Sequence, residues 1–338
     1  MAGPLTPAAG TPLREPAAAA ATLRRALGGA LWLGGVLARR ALLLAVLLAA
    51  VFAAVELLPG DAATATSERG ENAADMAARR ELLGLDRPVH IRFADWMTGL
   101  PTGDLGTSAR GESIAGLLSR PFPNTLLLGG LALLLTLVVS VALGCWAALR
   151  PGGPVDRAVS ATATGVLALP EFVVGVALVL VLSLWTGWLP AVTLAGADGT
   201  PASWDMLILP VLALAVPQIG WNTRIVRAAL ADEATAPHVE TAVIDGLTRR
   251  RVLTHHLLPG ALPTITAGIA TSTGMLLGGA VVVETVFNYP GIGSVLAGAV
   301  TDRDSPLIAA VVAVTGAVIT LVLLLADLIR AWASGARA

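Results

Sequence analysis

The sequence contains no lysine, so all 22 of its basic residues are arginines. An ordinary P-loop needs a lysine that reaches the β- and γ-phosphates of ATP, and Schiff-base catalysis needs a lysine amine. The absence of lysine excludes both kinds of site from this chain. If ATP drives the protein, a separate subunit must hydrolyse it.

Cysteine and charge are also scarce. Cys145 is the only cysteine, which excludes an intramolecular disulfide, and its apolar neighbours favour a buried small residue over a reactive thiol. Only 13% of the 338 residues are charged and 55% are hydrophobic, whereas about 25% of the residues in an average soluble domain are charged. Most of the chain is therefore expected to lie in lipid. The net charge of −1 gives no basic surface for nucleic acid.

The residues needed for hydrolysis or for a metal site are missing as well. There is no G-x-S-x-G motif, and none of the four histidines falls within a long apolar run. The adjacent His255 and His256 would point about 100° apart on a helix, unlike the i, i+4 pair of a zinc site. An intramembrane hydrolase is poorly supported, and no metal site and no catalytic residue are predicted.

Long apolar runs indicate the fold class. A helix needs roughly 20 apolar residues to cross the hydrocarbon core of a bilayer, and six stretches qualify. We therefore predict an all-α membrane protein with about six transmembrane helices. The predicted spans are 38–58, 125–149, 160–186, 205–225, 261–285 and 307–329.

The three longest segments outside these spans are informative. Residues 1–36 are predicted to be a flexible cytosolic extension that precedes a transmembrane domain at 37–338. An insertion at 59–124 follows the first span and contains an amphipathic stretch that should form a helix ending near Gly84. A second polar segment, residues 226–260, separates the fourth and fifth spans.

Arginine placement predicts the orientation, because cytoplasmic loops carry an excess of positive charge. With the N-terminus in the cytoplasm, the 226–260 segment and both termini lie inside, where most of the arginines then fall. The short outer loops contribute only Arg303. The chain is therefore predicted to be a multi-pass protein of the cytoplasmic membrane, with both termini inside and the 59–124 insertion outside.

The 226–260 segment is predicted to form two short helices. One, at 236–245, should stop at Gly246, a common helix terminator. The other, at 248–257, should end before Pro259, because proline disfavours helix in the residue that precedes it. Two short helices on the membrane surface could dock into a groove on another protein, or they could form an ordinary amphipathic loop. The pattern itself leaves both possibilities open.

The spacing within this segment resembles a known motif. Glu240-Thr241-Ala242, three residues, Gly246, nine residues and His256-Leu257-Leu258-Pro259 are similar to the EAA loop of ABC importer permeases, E-A-A, three residues, G, nine residues, I-x-L-P. Thr241 and His256 depart from that pattern. In that family the loop is the coupling helix that fits a cleft of the ATPase subunit. The resemblance implies this role for Glu240, Thr241, Ala242, Gly246, Leu258 and Pro259.

The resemblance covers almost the whole chain beyond residue 36. It is closest to the B-type permeases of dipeptide, oligopeptide and nickel importers. The matching motifs are LLPGD at 57–61, LGLDRP at 83–88, GDLGTS at 103–108, GWLP at 187–190, GGAVVVETVF at 278–287 and PGIG at 290–293.

This resemblance implies a transport subunit rather than an enzyme. Its expected partners are a second permease, two ATPase subunits that hold ATP and Mg²⁺, and an extracytoplasmic binding protein. Peptides are the expected substrate, with nickel or another small solute as the alternative. A secondary transporter driven by an ion gradient also remains open; it predicts inverted repeats and paired broken helices, and no convincing repeat is visible.

Candidate residues for a translocation path are Glu171, Thr271, Ser272, Met275 and Glu284. Glu171 follows Pro170, which should break the third span, and its carboxylate could meet a peptide's ammonium group or satisfy freed backbone donors. The hydroxyls of Thr271 and Ser272 could line the path or bond to their own helix carbonyls, and the second alternative is favoured for each. Glu284 lies near the end of a span, where a solvated structural role is expected.

Overall fold

The computed structural model describes residues 15–57, 60–67 and 72–335. Two compact units can be distinguished, and the first ends at Leu47. Its described part is the N-terminal portion of helix α1 (Glu15–Glu56). Part of the predicted extension, residues 15–36, is therefore helical, and residues 1–14 lie outside the described residues. The apolar part of α1 is Leu33–Glu56, a few residues earlier than the predicted span.

The second unit begins at Leu48 and includes the insertion, which folds into short helices. These are α2 (Ala62–Ala65), α3 (Ala73–Leu82), α4 (Val89–Gly99) and α5 (Ile114–Leu118). The predicted amphipathic helix corresponds to α3. Asn72 caps it by accepting hydrogen bonds from the backbone N–H groups of Ala74 and Asp75, which would otherwise have no partner in the first turn.

The remaining helices form the core of this second unit. They are α6 (Pro121–Ala148), α7 (Pro154–Leu167), α8 (Glu171–Leu178), α9 (Asp205–Glu233), α10 (Pro237–Ile244), α11 (Arg249–Val252), α12 (Leu258–Val286), α13 (Ile292–Thr301) and α14 (Ser305–Gly335). Helix α9 lies at the centre, packed against α6, α7, α8 and α12, and α14 packs on α12. Apolar side chains such as Leu128, Leu209, Leu214 and Leu276 fill the space between α6, α9 and α12.

The predicted third span is not a straight helix. Helices α7 and α8, the second extended by a π-helical stretch at Val179–Trp185, are bent by 101° at the break that contains Pro170. Proline has no backbone N–H and clashes with the preceding turn, so the ladder of hydrogen bonds stops there. Among the described residues, five helices are long and apolar enough to cross a membrane, and six spans result if this bent pair counts as one.

The two helices predicted between the fourth and fifth spans behave differently. The first is confirmed as α10, which is followed by Gly246 at a positive φ of 77°. The prediction that the second ends before Pro259 is wrong. Helix α11 continues through a π turn at Leu253–Leu257 into α12. In this wide turn the N–H of Leu258 bonds to the carbonyl of Leu253, five residues back, and such a bulge lets a helix accommodate a proline.

Candidate functional site

Helix α10 has one buried and one exposed face. Val239 and Ala242 are buried in an apolar cluster with side chains from α9, α11 and the π turn, including Val226 and Leu253. Ala242 of the EAA-like motif therefore anchors α10 to the rest of the chain. Such packing leaves the opposite side of the helix free for other contacts.

The exposed side of α10 carries the rest of that motif and two large apolar residues. Glu240 and Thr241 are exposed, and the Thr241 hydroxyl donates to the carbonyl of Pro237 at 3.0 Å. Val243 is 59% exposed and Ile244 is 76% exposed. A short helix that is held by its buried side and presents apolar side chains on the other is suited to contact a second protein.

The other motif residues complete this segment. Gly246 is exposed, and a Cβ at its position would meet no atom within 4 Å. Leu258 packs partly against the apolar cluster, and Pro259 is exposed at the start of α12. The predicted coupling residues therefore lie along one stretch, in which Ala242 and Leu258 contribute to the apolar cluster. The full set is Glu240, Thr241, Ala242, Gly246, Leu258 and Pro259.

Polar contacts tie this end of the protein together. Arg227 of α9 forms an ion pair with the buried Asp156 of α7, whose carboxylate also accepts from the N–H of Gly152 at 2.8 Å. Arg249 donates to the carbonyl of Leu149 at 3.4 Å. Sequence reasoning missed the Asp156–Arg227 pair, because the two residues are distant in the chain and no motif links them.

Two of the five path candidates lie on an exposed face of α12. Thr271 and Met275 are one turn apart and exposed, and Gly278 and Val282 continue the same face. The Thr271 hydroxyl donates to the carbonyl of Ala267 in its own helix at 2.9 Å. Within the described part of the chain, no helix covers this face.

Ser272, the neighbour of Thr271, points the other way. It is fully buried, and its oxygen accepts a hydrogen bond from the Asn222 amide of α9 at 2.6 Å. The Ser272 hydroxyl donates to the carbonyl of Gly268 at 3.2 Å. Ser272 therefore joins α9 to α12 instead of facing an open path.

Glu171 lies in the first turn of α8 and is half-buried. Its carboxylate faces α12 at Gly279, where a Cβ would lie 3.4 Å from Oε1. The small residue on α12 thus leaves room for the carboxylate between the two helices. Glu171 directly follows the break at Pro170. Its carboxylate is therefore placed to accept hydrogen bonds from backbone N–H groups that the bend leaves without helical partners.

Glu284 is buried, contrary to the expectation that its end of the span is solvated. It is 1% exposed. Its Oε1 accepts from the Thr125 hydroxyl of α6 at 2.6 Å, and Oε2 accepts from the N–H of Gly293 in α13 at 2.6 Å. The carboxylate lies at the N-terminus of α13, where N–H groups without helical partners favour negative charge.

A polar network surrounds Glu284 and involves residues that sequence reasoning missed. The Tyr289 hydroxyl donates to the carbonyl of Asn124 at 2.8 Å, and burial raises the pKa of that phenol. Thr125 accepts from the N–H of Ile292 at 2.9 Å. We refer to Asn124, Thr125, Glu284, Tyr289 and Gly293 as the Glu284 cluster.

Residues 140–335 match the family of binding-protein-dependent transport system inner membrane components. The chain belongs to this family. It is a permease, a transport subunit, and a multi-pass protein of the inner membrane.

Relatives extend the match over most of the permease. A probable peptide ABC transporter permease of Sinorhizobium fredii is 34% identical and covers 82% of this chain and 90% of its own. The oligopeptide permease AppB of Bacillus subtilis is 30% identical over 83% and 90%. The glutathione permease GsiC of Salmonella typhimurium is 34% identical over 83% and 90%.

Solved structures show the fold. A methionine ABC transporter in an inward-facing conformation aligns with a TM-score of 0.51 and 18% identity, covering 64% of the permease and 95% of that chain. At this identity the likeness concerns the arrangement of helices only.

Proposed function

We propose that this permease forms, together with a second permease subunit, the translocation path of an ATP-driven importer for peptides. The observation that carries the proposal is the construction of α10, with Val239 and Ala242 buried and Val243 and Ile244 exposed. The exposed side is the docking surface for an ABC ATPase. Peptides are the substrate class because the relatives named above are permeases for peptides, oligopeptides and the tripeptide glutathione.

The connection from α10 to the membrane helices supports a coupling role. After Gly246 the chain enters α11 and continues without a break through the π turn into α12. A displacement of α10 therefore reaches α12 through one turn and a continuous helix. Two ATPase subunits that close on ATP would shift two such segments, one on each permease, and bias the helices between outward- and inward-facing states.

The exposed face of α12 supports a shared path. Thr271, Met275, Gly278 and Val282 present small or flexible side chains and a hydroxyl on one side of a membrane-spanning helix. A lipid-facing surface has no need of such residues, whereas close helix approach and a polar path do. In this proposal the face meets the second permease, Glu171 lies behind it, and a binding protein delivers substrate to the extracytoplasmic side, where the insertion lies.

Uptake by the reconstituted complex tests the proposal. The permease, its companion permease and the ATPase subunits are placed in liposomes with the binding protein, and uptake of a labelled peptide is measured with ATP and with vanadate. We expect uptake that needs ATP and stops with vanadate. Uptake that ignores vanadate and collapses with the proton gradient would contradict an ATP-driven mechanism.

A matched pair at Gly246 tests the docking surface. A Cβ at Gly246 meets nothing within 4 Å in the chain, although the positive φ strains most side chains there, so the added bulk of Gly246→Trp should obstruct a partner. Gly246→Asn is the control, since asparagine tolerates a positive φ. We expect the tryptophan variant to lose ATPase association and uptake while the asparagine variant keeps both. Normal association in Gly246→Trp would argue against docking at this turn.

A further inference from the structure

A pocket in the insertion is separate from the sites described above. It has a volume of about 260 Å³ and lies between the end of α1, helix α4 and the turn that joins α13 to α14. Leu82, Leu83 and Leu85 provide apolar lining, the largely buried Phe52 and Trp96 lie behind it, and Arg303 lines the side formed by the turn. Pockets for drug-sized ligands measure about 300–1,000 Å³, so this one suits a smaller molecule.

The carboxylates that line the pocket are already engaged. Asp304 is buried and accepts from the N–H groups of Ala109 and Leu307 at 2.6 and 3.0 Å, and its burial raises its pKa. The other three each have an arginine partner. These pairs are Glu56–Arg92 at 2.5 Å, Asp61–Arg80 at 2.7 Å and Asp95–Arg87 at 2.6 Å.

Arg303 differs from Arg87 and Arg92, the two ion-paired arginines that also line the pocket. Its side chain is half-buried, and Nη1 lies over Gly60, in the space that a Cβ at that position would occupy. Within residues 15–57, 60–67 and 72–335, no carboxylate forms an ion pair with it. A guanidinium that is partly removed from water without a partner is costly, and its planar fork matches a carboxylate.

The backbone at Arg303 is also held in an uncommon conformation. Its φ is 54°, in the left-handed region that non-glycine residues rarely adopt. The neighbouring Asp304, fixed by two N–H groups, keeps the turn in this shape. The guanidinium consequently lies over Gly60 and forms part of the wall of the pocket.

We propose that this pocket binds a small free carboxylate, with Arg303 as the anion-binding group and Leu82, Leu83 and Leu85 as contacts for a short apolar body. The Trp96 Nε1–H already donates to the carbonyl of Leu105 at 3.0 Å. The indole N–H is therefore not available to a ligand, and Arg303 is the group proposed to bind its carboxylate. An N-acylated apolar amino acid has the required chemistry: one carboxylate, no positive charge and a small aliphatic side chain.

Binding is measured on the full-length permease in lipid nanodiscs. N-acetyl-leucine is compared with N-acetyl-leucinamide, which has nearly the same shape but no charge, by equilibrium dialysis of the labelled compounds. We expect the acid to bind at least tenfold more tightly than the amide. Arg303→Gln should weaken acid binding at least tenfold, whereas Arg110→Gln should not, because Arg110 pairs with Asp302 outside the pocket.

A measurement on the unmutated permease keeps the proposal testable if Arg303→Gln does not fold. Arginines are modified with a dicarbonyl reagent, and each site is quantified by mass spectrometry with and without N-acetyl-leucine. Protection of Arg303 without protection of Arg110 is expected. Equal binding of acid and amide, no binding of the acid up to about 10 mM, or equal modification of Arg303 with and without the acid would overturn the proposal. None of these outcomes depends on whether the permease imports peptides.

Discussion

The two ends of α12 are held by different kinds of interaction. At the N-terminal end, α10, α11 and the π turn pack through apolar side chains such as Val239, Val252 and Leu257, and Val243 and Ile244 remain exposed. At the C-terminal end, the carboxylate of Glu284 is buried and has hydrogen-bond partners on α6 and α13. One end presents apolar surface that nothing in the described part of the chain covers, and the other end is completed within the chain.

This difference affects how each end of α12 can move. Apolar contacts are non-directional, so they fix the relative position of two helices less strictly than hydrogen bonds do. Short hydrogen bonds to a buried carboxylate depend on distance and angle and are expensive to leave unmade. We infer that the α10 end of α12 is the one that moves with a partner, and that the Glu284 end moves with α6 and α13 as one body.

The largest expected effect is at Glu284. In Glu284→Ala the Thr125 hydroxyl and the Gly293 N–H lose their acceptor inside a buried site, where each unsatisfied group costs about 1–3 kcal/mol. We expect a destabilisation of about 3 kcal/mol, seen as a lower unfolding temperature of the purified permease. Thr285→Ala is the control, because Thr285 is exposed and its hydroxyl bonds to the carbonyl of Val281 in its own helix. Equal unfolding temperatures for the two variants would remove the distinction between the ends of α12.

The next effect is at Gly293, which lets α13 approach Glu284. A Cβ there would stand 2.7 Å from Oε2 and 2.8 Å from the Val281 Cα, and backbone cannot move aside easily. We expect Gly293→Ala to cost about 2 kcal/mol through overpacking. Gly298, in the same helix, is exposed, and a Cβ there would meet nothing within 4 Å. Gly298→Ala should leave stability unchanged or raise it by about 0.5–1 kcal/mol. A drop in both variants would indicate that α13 tolerates no alanine, whatever its neighbours.

The sequence predicted the positions of the helices better than the burial of individual residues. Hydropathy placed the long helices, because lipid and a helix neighbour both require apolar side chains. It could not show which apolar residues face protein, so the burial of Ser272 and Glu284 and the exposure of Val243 were not foreseen. The GGAVVVETVF and PGIG motifs did mark the Glu284 cluster, but the contact between Thr125 and Glu284 joins residues far apart in the chain and needs the fold.

Proline and glycine were informative to different degrees. Pro170 predicted a break in the third span, and the structure shows that the two helices on either side of it are bent by 101°. Gly246 ended α10 as predicted. Pro259 was misleading, because the rule that helix stops before proline assumes regular α-helical hydrogen bonding, and the π turn at Leu253–Leu257 removes the conflict.

The third prediction separates the two faces of α10. Ile244→Ala removes exposed apolar surface, so it should leave the unfolding temperature of the permease unchanged and weaken ATPase binding about tenfold, which corresponds to about 1.4 kcal/mol. Val239→Ala, on the buried face, should lower the unfolding temperature, because truncating a buried side chain leaves a cavity. Both are measured by thermal unfolding and by ATPase pull-down titration. If Ile244→Ala binds the ATPase normally while Val239→Ala behaves as expected, the exposed face of α10 is not the docking surface for the ATPase.

The smallest effect concerns the middle of α12, where two neighbours face opposite ways. Ser272→Ala deprives the Asn222 amide of its buried acceptor, leaving it the carbonyl of Gln218, and should cost about 1 kcal/mol. Thr271→Val keeps the shape of an exposed side chain and removes only a bond to its own helix, so its unfolding temperature should change little. If Thr271 lines the shared path, uptake in Thr271→Val should change in its preference among peptides, whereas Ser272→Ala should keep the parent preference. The opposite result is a preference among peptides that shifts in Ser272→Ala and stays constant in Thr271→Val. It would place the path on the face of α12 that carries Ser272, and the exposed face that carries Thr271 would then not line it.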